Sequence, residues 1–236
     1  MTTLILWDVD HTLIDGGQVS RHAYAAAFRA ATGRELTEPW QFDGRTELAA
    51  ASEVLRAHGL PAEGEPLHAF LELIDAELHA RADALAAAGR ALPGAVAALT
   101  ALQDVPGLHQ SVLTGNLRRV ALLKLSVFGL DGHLDLAIGA YGEDAYERVD
   151  LPPFALDRAS RVHGSTFTGA DTVIVGDTLR DIAAARAVGA RAVAVATGPY
   201  PADRLAAAGA DVTLPDLTDT AAVVEALTGG RPPVRT

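Results

Sequence analysis

Short apolar, β-branched runs alternate along the chain with longer stretches in which apolar residues recur at helical spacing. The short runs predict strands, and the longer stretches predict helices. Regular alternation of the two is typical of an α/β fold with a doubly wound parallel sheet. The predicted strands are Leu4–Trp7, Gln110–Leu113, Leu134–Ile138, Asp171–Val175, Ala192–Ala196 and Asp211–Leu214, and the predicted helices are Pro93–Gln103, Asn116–Phe128, Pro152–Val162, Leu179–Val188, Tyr200–Ala208 and Asp219–Leu227.

One long segment, residues 20–89, has helical patterning and no strand pattern. Ser20 is the predicted N-cap of its first helix, Thr46 opens the second, and a longer third helix begins near Pro66 and ends at Gly89. The predicted hinges on either side are Asp15–Val19, which contains Gly16-Gly17, and the turn Leu92–Gly94. The predicted division is an α/β core at residues 1–17 and 92–228, a helical insert at 18–91 and a disordered tail at 229–236.

Composition narrows the classes of function. The chain has 236 residues, 49% of them hydrophobic, and a formal net charge of -11, which argues against general nucleic-acid binding. It has no cysteine, so disulfides and thiolate metal sites are excluded. No apolar run approaches a membrane span, and the amino-terminal run ends in acid, unlike a signal peptide. We therefore expect a cytoplasmic protein without membrane contact, and the sequence gives no indication of its oligomeric state.

Polar residues follow the predicted strands where each strand ends. In open α/β sheets ligands bind beyond the carboxyl ends of the strands, so these residues are expected to meet. They supply acids, hydroxyl and amide donors, and a cation. In chain order they are Asp8 and Asp10, then Thr114, Gly115 and Asn116, then Arg148 ahead of the helix opened by Pro152-Pro153, and finally Asp177 and Asp181.

This ordered set resembles the haloacid dehalogenase superfamily of phosphotransferases, and within it proteins like phosphoglycolate phosphatase. Asp8 and Asp10 match the DxDxT motif, Thr114 matches the Ser/Thr of the second motif, and Asp177 with Asp181 matches GDxxxD. Arg148 takes the place of the third-motif Lys/Arg. The helical insert matches the type-one cap of that superfamily. The resemblance spans nearly the whole chain and implies a Rossmann-like core with an inserted helical cap.

The resemblance also implies a mechanism that agrees with the chemistry of these residue types. Asp8 would attack phosphorus and form an aspartyl-phosphate, and Asp10 would act as general acid and then as general base. Thr114, with backbone N–H groups near Gly115 and Asn116 at a helix start, would bind phosphoryl oxygens. Mg²⁺ would balance the charge, since it prefers oxygen ligands. Its expected ligands are Asp8, the backbone carbonyl of Asp10, Asp177, and Asp181 directly or through water.

The third-motif cation has competitors, because the family most often uses lysine there. Lys124, the only lysine, and Arg118 both lie in the helix predicted after Thr114, and the alternative for Lys124 is a stem packed among apolar neighbours. Other residues also have plain structural alternatives. Thr114, Asn116 and Asp181 could simply cap helices, and His11 could be a tolerated variant where the family usually has glycine.

Arg45 is a candidate substrate contact in the insert. It lies in the segment Phe42–Glu47, where Gly44 interrupts the helical pattern at a place where the family often has a substrate-facing loop. An ordinary turn before an N-cap Thr46 is the alternative.

These expectations favour a Mg²⁺-dependent phosphomonoester hydrolase acting on a small phosphorylated metabolite. A sugar-phosphate mutase of the same superfamily and a catalytically silent binding or regulatory protein are the alternatives. Dehalogenation is disfavoured because such relatives lack an acid at the position of Asp10. Phosphonate cleavage is disfavoured because it uses a lysine in the cap, and this insert has none.

Overall fold

The computed structural model describes residues 2–37 and 44–229. Its main feature is a five-stranded parallel sheet in the order β4-β1-β5-β6-β7, with β2 and β3 forming a separate antiparallel pair. The strands are β1 (Thr3–Trp7), β2 (Ile14–Asp15), β3 (Arg90–Ala91), β4 (Leu108–Val112), β5 (Thr172–Gly176), β6 (Arg191–Val195) and β7 (Val212–Leu214), and the helices are α1 (Val19–Thr32), α2 (Glu47–Ala57), α3 (Gly64–His79), α4 (Ala82–Ala88), α5 (Ala95–Gln103), α6 (Arg118–Val127), α7 (Pro152–His163), α8 (Leu179–Val188), α9 (Ala202–Ala207) and α10 (Thr220–Thr228).

The sheet separates two apolar cores, as the alternation of side chains along a strand requires. On β1, Ile5 and Trp7 face a core shared with α5, α6 and α10, while Leu4 and Leu6 face a core shared with α7 and α8. All four side chains are fully buried. Burial on both faces explains why this strand has a continuous apolar sequence. The predicted α/β fold with a parallel sheet is confirmed.

The strand predicted at Leu134–Ile138 is wrong. This segment runs beside β4, but the backbone hydrogen bonds that join them are far apart along the chain. Asp135 N donates to the carbonyl of Gln110, and Ala140 N donates to that of Val112. Two such points do not form a continuous ladder, so the buried apolar side chains of this segment pack without strand structure.

Two predicted helix details in the insert are also wrong. Ser20 is not the N-cap of α1, because the helix starts at Val19 and Ser20 already lies in its first turn. The long third helix is interrupted between α3 and α4 at Arg81. There the Arg81 guanidinium donates to the backbone carbonyl of Glu77, and the Arg81 backbone N–H donates to the carbonyl of Leu78. This exchange of hydrogen bonds ends the regular helix.

Helices α1–α4 surround an apolar cluster, in which Tyr24, Phe28 and Phe70 are the largest buried side chains and to which α6 of the core contributes Val120. The two connections to the rest of the chain pair as β2 and β3, where Arg90 forms an ion pair of 2.7 Å with Asp15. This packing supports the predicted division into residues 1–17 with 92–228 and an insert at 18–91, which remains a prediction.

In the described part of the chain, no helix combines the length and the apolar character that a membrane span requires. The tail predicted to be disordered is residues 229–236. Gly229 is the C-cap of α10, and residues 230–236 lie outside the described residues.

Candidate active site

The loop after β1 turns sharply just beyond the sheet. His11 has a φ of 60°, a left-handed conformation that an ordinary side chain rarely adopts and that glycine adopts easily. Its backbone N–H donates to the carbonyl of Ile14, and its carbonyl accepts from the hydroxyl of Thr197. The turn leaves Asp8 in line with β1, its N–H donating to the carbonyl of Val175, and the chain then continues into β2.

Three buried carboxylates meet at this edge. Oxygens of Asp8, Asp177 and Asp181 all lie within 4.8 Å of one another. Arg148 enters the same cluster, with Nη2 at 2.7 Å from Asp8 Oδ1 and 2.5 Å from Asp181 Oδ1. The guanidinium also donates to the backbone carbonyl of Leu113 at 3.1 Å. Residues that the sequence spreads over 174 positions, from 8 to 181, are therefore in direct contact.

The cluster has more negative charge than Arg148 offsets. Burial raises the pKa of Asp8 to about 6, although Arg148 beside it lowers this pKa and Asp181 adds to the rise. Burial, together with repulsion from Asp8 and Asp181, raises the pKa of Asp177 well above its usual range. Oδ2 of Asp177 is buried and has no hydrogen-bond partner. An all-oxygen donor set with an unpaired buried carboxylate oxygen fits a hard divalent cation such as Mg²⁺.

Two threonines orient these carboxylates. The N–H and the hydroxyl of Thr178 both donate to Oδ2 of Asp181, at 2.9 and 2.6 Å, in a capping box at the start of α8. Asp181 thus caps a helix and also turns Oδ1 to Arg148. The hydroxyl of Thr12 donates to Oδ1 of Asp177 at 3.2 Å. Thr12 was not among the predicted site residues, although it is the threonine of the DxDxT motif.

Asp10 lies in a different environment from Asp8. The Nζ atom of Lys124 is 2.9 and 2.8 Å from its two carboxylate oxygens, and Asn116 Nδ2 donates to it at 2.7 Å. Lys124 also donates to Asn116 Oδ1 at 2.7 Å. Burial by itself would raise the pKa of Asp10, but Lys124, helped by Asn116, outweighs it and lowers the pKa. Lys124 is buried as a packed stem would be, and its ammonium is in addition paired with Asp10.

The turn at Thr114 prepares a hydroxyl donor. Thr114 Oγ1 accepts from both the backbone N–H and the side-chain amide of Asn116, at 3.2 and 2.8 Å. Both bonds use oxygen lone pairs, so the hydroxyl hydrogen can point elsewhere. Helix α6 begins only at Arg118. The expectation that Gly115 and Asn116 lie at the helix start is therefore wrong, because they precede the first turn.

The insert closes over these residues through backbone contacts. The Arg148 guanidinium donates to the carbonyl of Gly44, and the backbone N–H of Glu47 donates to the carbonyl of Gly115 at 2.8 Å. The approach is so close that a Cβ on Gly115 would lie 1.9 Å from the carbonyl oxygen of Arg45. Thr46 caps α2 as predicted, because its hydroxyl oxygen accepts from Ala49 N. The same hydroxyl donates to the backbone carbonyl of Tyr146.

A cavity of about 630 Å³ lies between the insert and the sheet edge. The predicted residue Arg45 lines it, but its guanidinium is paired with Glu53 on α2. Phe42 and Asp43 of the same predicted segment lie outside the described residues. Glu47, which the sequence analysis did not single out, also lines the cavity and is buried, with the hydroxyl of Tyr24 donating to its Oε2 at 2.5 Å.

The sequence profile of the haloacid dehalogenase-like hydrolases matches residues 2–189, which include every acid of this cluster. The chain belongs to the haloacid dehalogenase-like hydrolase family. The predicted family, and with it the hydrolase class, is confirmed.

Several other proteins are similar to this chain over nearly its full length. "Probable phosphatase IndB" from Dickeya dadantii (strain 3937) is 27% identical over 232 residues, covering 96% of this chain and 95% of that protein. A predicted phosphatase from Clostridium acetobutylicum has a TM-score of 0.71 at 16% identity, covering 95% of this chain and 99% of the other. A putative beta-phosphoglucomutase from Bacteroides vulgatus has a TM-score of 0.68 at 21% identity, covering 97% and 89%. At these identities the two structures show a shared fold only.

Proposed function

We propose that this haloacid dehalogenase-like hydrolase is a Mg²⁺-dependent phosphomonoester hydrolase that acts on a small phosphorylated metabolite through an aspartyl-phosphate on Asp8. One observation carries the proposal. Asp8, Asp177 and Asp181 form a buried carboxylate cluster beside Arg148, and Asp177 keeps an unpaired oxygen. Such a cluster supplies a nucleophile, ligands for a divalent cation and a fixed positive charge within one small volume.

Asp8, Asp177 and Asp181 would hold the metal, together with the backbone carbonyl of Asp10 that the family resemblance implies. When bound, Mg²⁺ neutralises charge on the carboxylates and the phosphoryl group, so that an anionic nucleophile can approach an anionic substrate. The side chain of Asp10 stays outside the cluster, because Lys124 and Asn116 hold it.

In the first half-reaction, a carboxylate oxygen of Asp8 attacks phosphorus and the ester P–O bond breaks. The leaving oxygen takes a proton from Asp10, which acts as the general acid. Thr114 donates its hydroxyl hydrogen to a phosphoryl oxygen. The Arg148 guanidinium, 2.7 Å from Asp8, keeps positive charge next to the atom that attacks.

In the second half-reaction, water attacks the phosphorus of the aspartyl-phosphate. Asp10 accepts the water proton, the bond between Asp8 and phosphorus breaks, and inorganic phosphate is released. Asp10 is ionised at this stage because it gave its proton to the leaving oxygen, and the Lys124 ammonium at 2.8 Å stabilises that ionised form until the water proton arrives. The contacts of the insert exclude bulk water from this volume during the reaction.

Arg148 is our assignment for the third-motif cation, because it contacts Asp8 directly. Lys124 contacts Asp10 instead, so we assign it the role of positioning the general acid–base residue. The two cations therefore serve different carboxylates and are not alternatives for one role.

Hydrolysis is favoured over the other functions. The Dickeya dadantii relative is named a probable phosphatase and covers 96% of this chain, whereas the mutase-named structure supports the fold alone. An intact set of acids argues against a silent binding protein. We further propose that the protein acts in the cytoplasm on a soluble metabolite, in keeping with its lack of cysteine and its acidic charge.

The test is phosphate release from small esters by the purified protein, with Mg²⁺ and with EDTA. We expect release only with Mg²⁺, and an Asp177→Asn variant that folds but loses most of it. Asp203→Asn is the matched control, because Asp203 is an exposed aspartate on α9. Equal activity with EDTA, or full activity of Asp177→Asn, would overturn the metal-dependent mechanism. Transfer of the phosphoryl group to a second hydroxyl of the same sugar would favour the mutase.

A further inference from the structure

Among the described residues of the insert, one buried carboxylate lines the 630 Å³ cavity, that of Glu47 in the first turn of α2. The side chain is held in place, because the Tyr24 hydroxyl donates to Oε2 at 2.5 Å and the Glu47 backbone N–H donates to Gly115. No hydrogen bond among the described residues uses Oε1. A fixed carboxylate with one oxygen left over is a site for a hydrogen-bond donor from outside the protein.

The surroundings of Glu47 indicate which part of a substrate it would meet. Burial raises its pKa to about 7, the Tyr24 hydrogen bond and the charge of Lys124 lower it, and the charge of Asp10 raises it again. Glu47 also lines the same cavity as Asp10 and Lys124, so the three side chains face one common volume. Because Asp10 serves the leaving oxygen in the proposed mechanism, Glu47 faces the leaving group and not the transferring phosphoryl group.

The cations that line this cavity are already engaged. Arg148 pairs with Asp8, Lys124 with Asp10, and Arg45 with Glu53. Arg21 also lines the cavity, but it is exposed, and solvent screens the charge of an exposed side chain. Among the described residues, a carboxylate on the leaving group would therefore approach Glu47 with no unpaired buried cation to offset the repulsion. A hydroxyl or an ammonium group would instead donate to the unused oxygen.

We propose that Glu47, oriented by Tyr24, determines specificity by selecting phosphate monoesters whose leaving group carries a hydroxyl or ammonium donor and by disfavouring leaving groups that carry a carboxylate. The inference rests on the proposed phosphatase function and adds a substrate class to it. It also predicts that phosphoglycolate, whose leaving group carries a carboxylate, is a poor substrate, although the sequence motifs resemble those of phosphoglycolate phosphatases.

Four phosphate esters with two-carbon leaving groups separate the chemistry from size. They are ethanolamine phosphate, 2-hydroxyethyl phosphate, ethyl phosphate and 2-phosphoglycolate. Each is assayed for kcat/KM with Mg²⁺ at pH ~8.5, above the Glu47 pKa of about 7, so that Glu47 carries its charge. We expect the wild type to hydrolyse the first two best and phosphoglycolate worst. In Glu47→Gln the ratio of ethanolamine phosphate to phosphoglycolate should fall about tenfold or more, because the repulsive charge is gone. Ethyl phosphate, which carries neither group, should change by less than about threefold.

Two further variants make the test decisive. Glu72→Gln removes an exposed glutamate on cap helix α3 and should leave all four values unchanged. Tyr24→Phe, which frees Oε2 and loosens the carboxylate, should weaken the same preference and serves if Glu47→Gln does not fold. A wild-type preference for phosphoglycolate, or a ratio unchanged in the folded variants, would overturn the inference alone. Failure of the wild type to hydrolyse any of the four esters would overturn the proposed function itself.

Discussion

Both carboxylate oxygens of Asp10 lie within hydrogen-bond distance of the Lys124 ammonium, at 2.9 and 2.8 Å. Asp8, two residues earlier in the chain, pairs with Arg148 instead. Two acids that would repel each other at the end of one strand are thus each matched with a separate buried cation. This separation allows one carboxylate to be a nucleophile and the other to exchange protons.

The Lys124–Asp10 pair leads to a prediction about acid–base catalysis. Lys124→Met keeps the length of the side chain and removes its charge, so it should lower kcat/KM by about 10- to 100-fold, part of what a positioned acid–base group contributes. The loss should shrink to nearly nothing in an Asp10→Asn background, where the pair is already broken. Steady-state kinetics of the four proteins of this cycle measure the coupling. Losses that multiply in the double variant would mean that Lys124 acts elsewhere.

Arg148 should carry a larger share of catalysis. Removing a charge contact from a site that excludes water typically costs about 3–4 kcal/mol, or 10²–10³ in rate, so Arg148→Ala should lose activity on that order. Arg148→Lys should keep more, although it cannot reproduce the forked contacts of a guanidinium with two carboxylates. The values of kcat/KM are compared after circular dichroism confirms folding. Near-normal activity of Arg148→Ala beside a severe loss in Lys124→Met would reverse the assignment of the third-motif cation.

Glu47 should make the stability of the protein depend on pH. Its pKa rises from 4.5 to about 7 on folding, so between these values the folded state binds more protons than the unfolded state. The free energy of unfolding attributable to this group therefore falls as pH rises through that range. The free energy of unfolding of Glu47→Gln minus that of the wild type should therefore increase by about 1–3 kcal/mol from pH ~5 to pH ~8. Urea unfolding at the two pH values measures the difference. An equal difference at both would show that Glu47 keeps its ordinary pKa.

The close contact at Gly115 should be essential for the position of the insert. A methyl group there would lie 1.9 Å from the carbonyl oxygen of Arg45, so Gly115→Ala must push the two segments apart. A displacement of about 1 Å can cost 10²-fold in rate, and we expect kcat/KM to fall about 10- to 100-fold. Gly132→Ala is the control, since a Cβ there meets nothing within 4 Å. Equal activity of the two variants would contradict a closed insert during catalysis.

Much of the fold is predictable from the sequence, because most strands and helices bury a face with a clear period. The helix Leu179–Val188 has the predicted bounds, since its capping residues are explicit in the sequence. The apolar run Leu134–Ile138 was misleading, because burial and not strand pairing explains it. Periodicity cannot distinguish these cases when the backbone pairs at isolated points.

The site was predictable where residues follow strands directly and less so where they come from helices. Asp8, Asp177 and Asp181 meet in one cluster, since the parallel strands β1 and β5 bring their ends together, and Arg148 joins them from the turn just before α7. Tyr24 and Glu47 lie on helices of the insert, and only tertiary packing determines that they meet. Lys124 lies among apolar residues of a predicted helix, and no neighbouring residue in the sequence indicates that its ammonium reaches Asp10.

The proposed mechanism requires Asp8 to carry the phosphoryl group, and chemical trapping of the aspartyl-phosphate shows which residue carries it. The enzyme is mixed with substrate and Mg²⁺, quenched in acid and reduced with borohydride, which converts an aspartyl-phosphate to homoserine. Asp10→Asn is included because slower water activation should let the intermediate accumulate. Peptide mass spectrometry should find homoserine at position 8, only with substrate and Mg²⁺, and never in Asp8→Asn. Homoserine in place of another aspartate, or undiminished phosphate release by folded Asp8→Asn, would show that Asp8 is not the nucleophile.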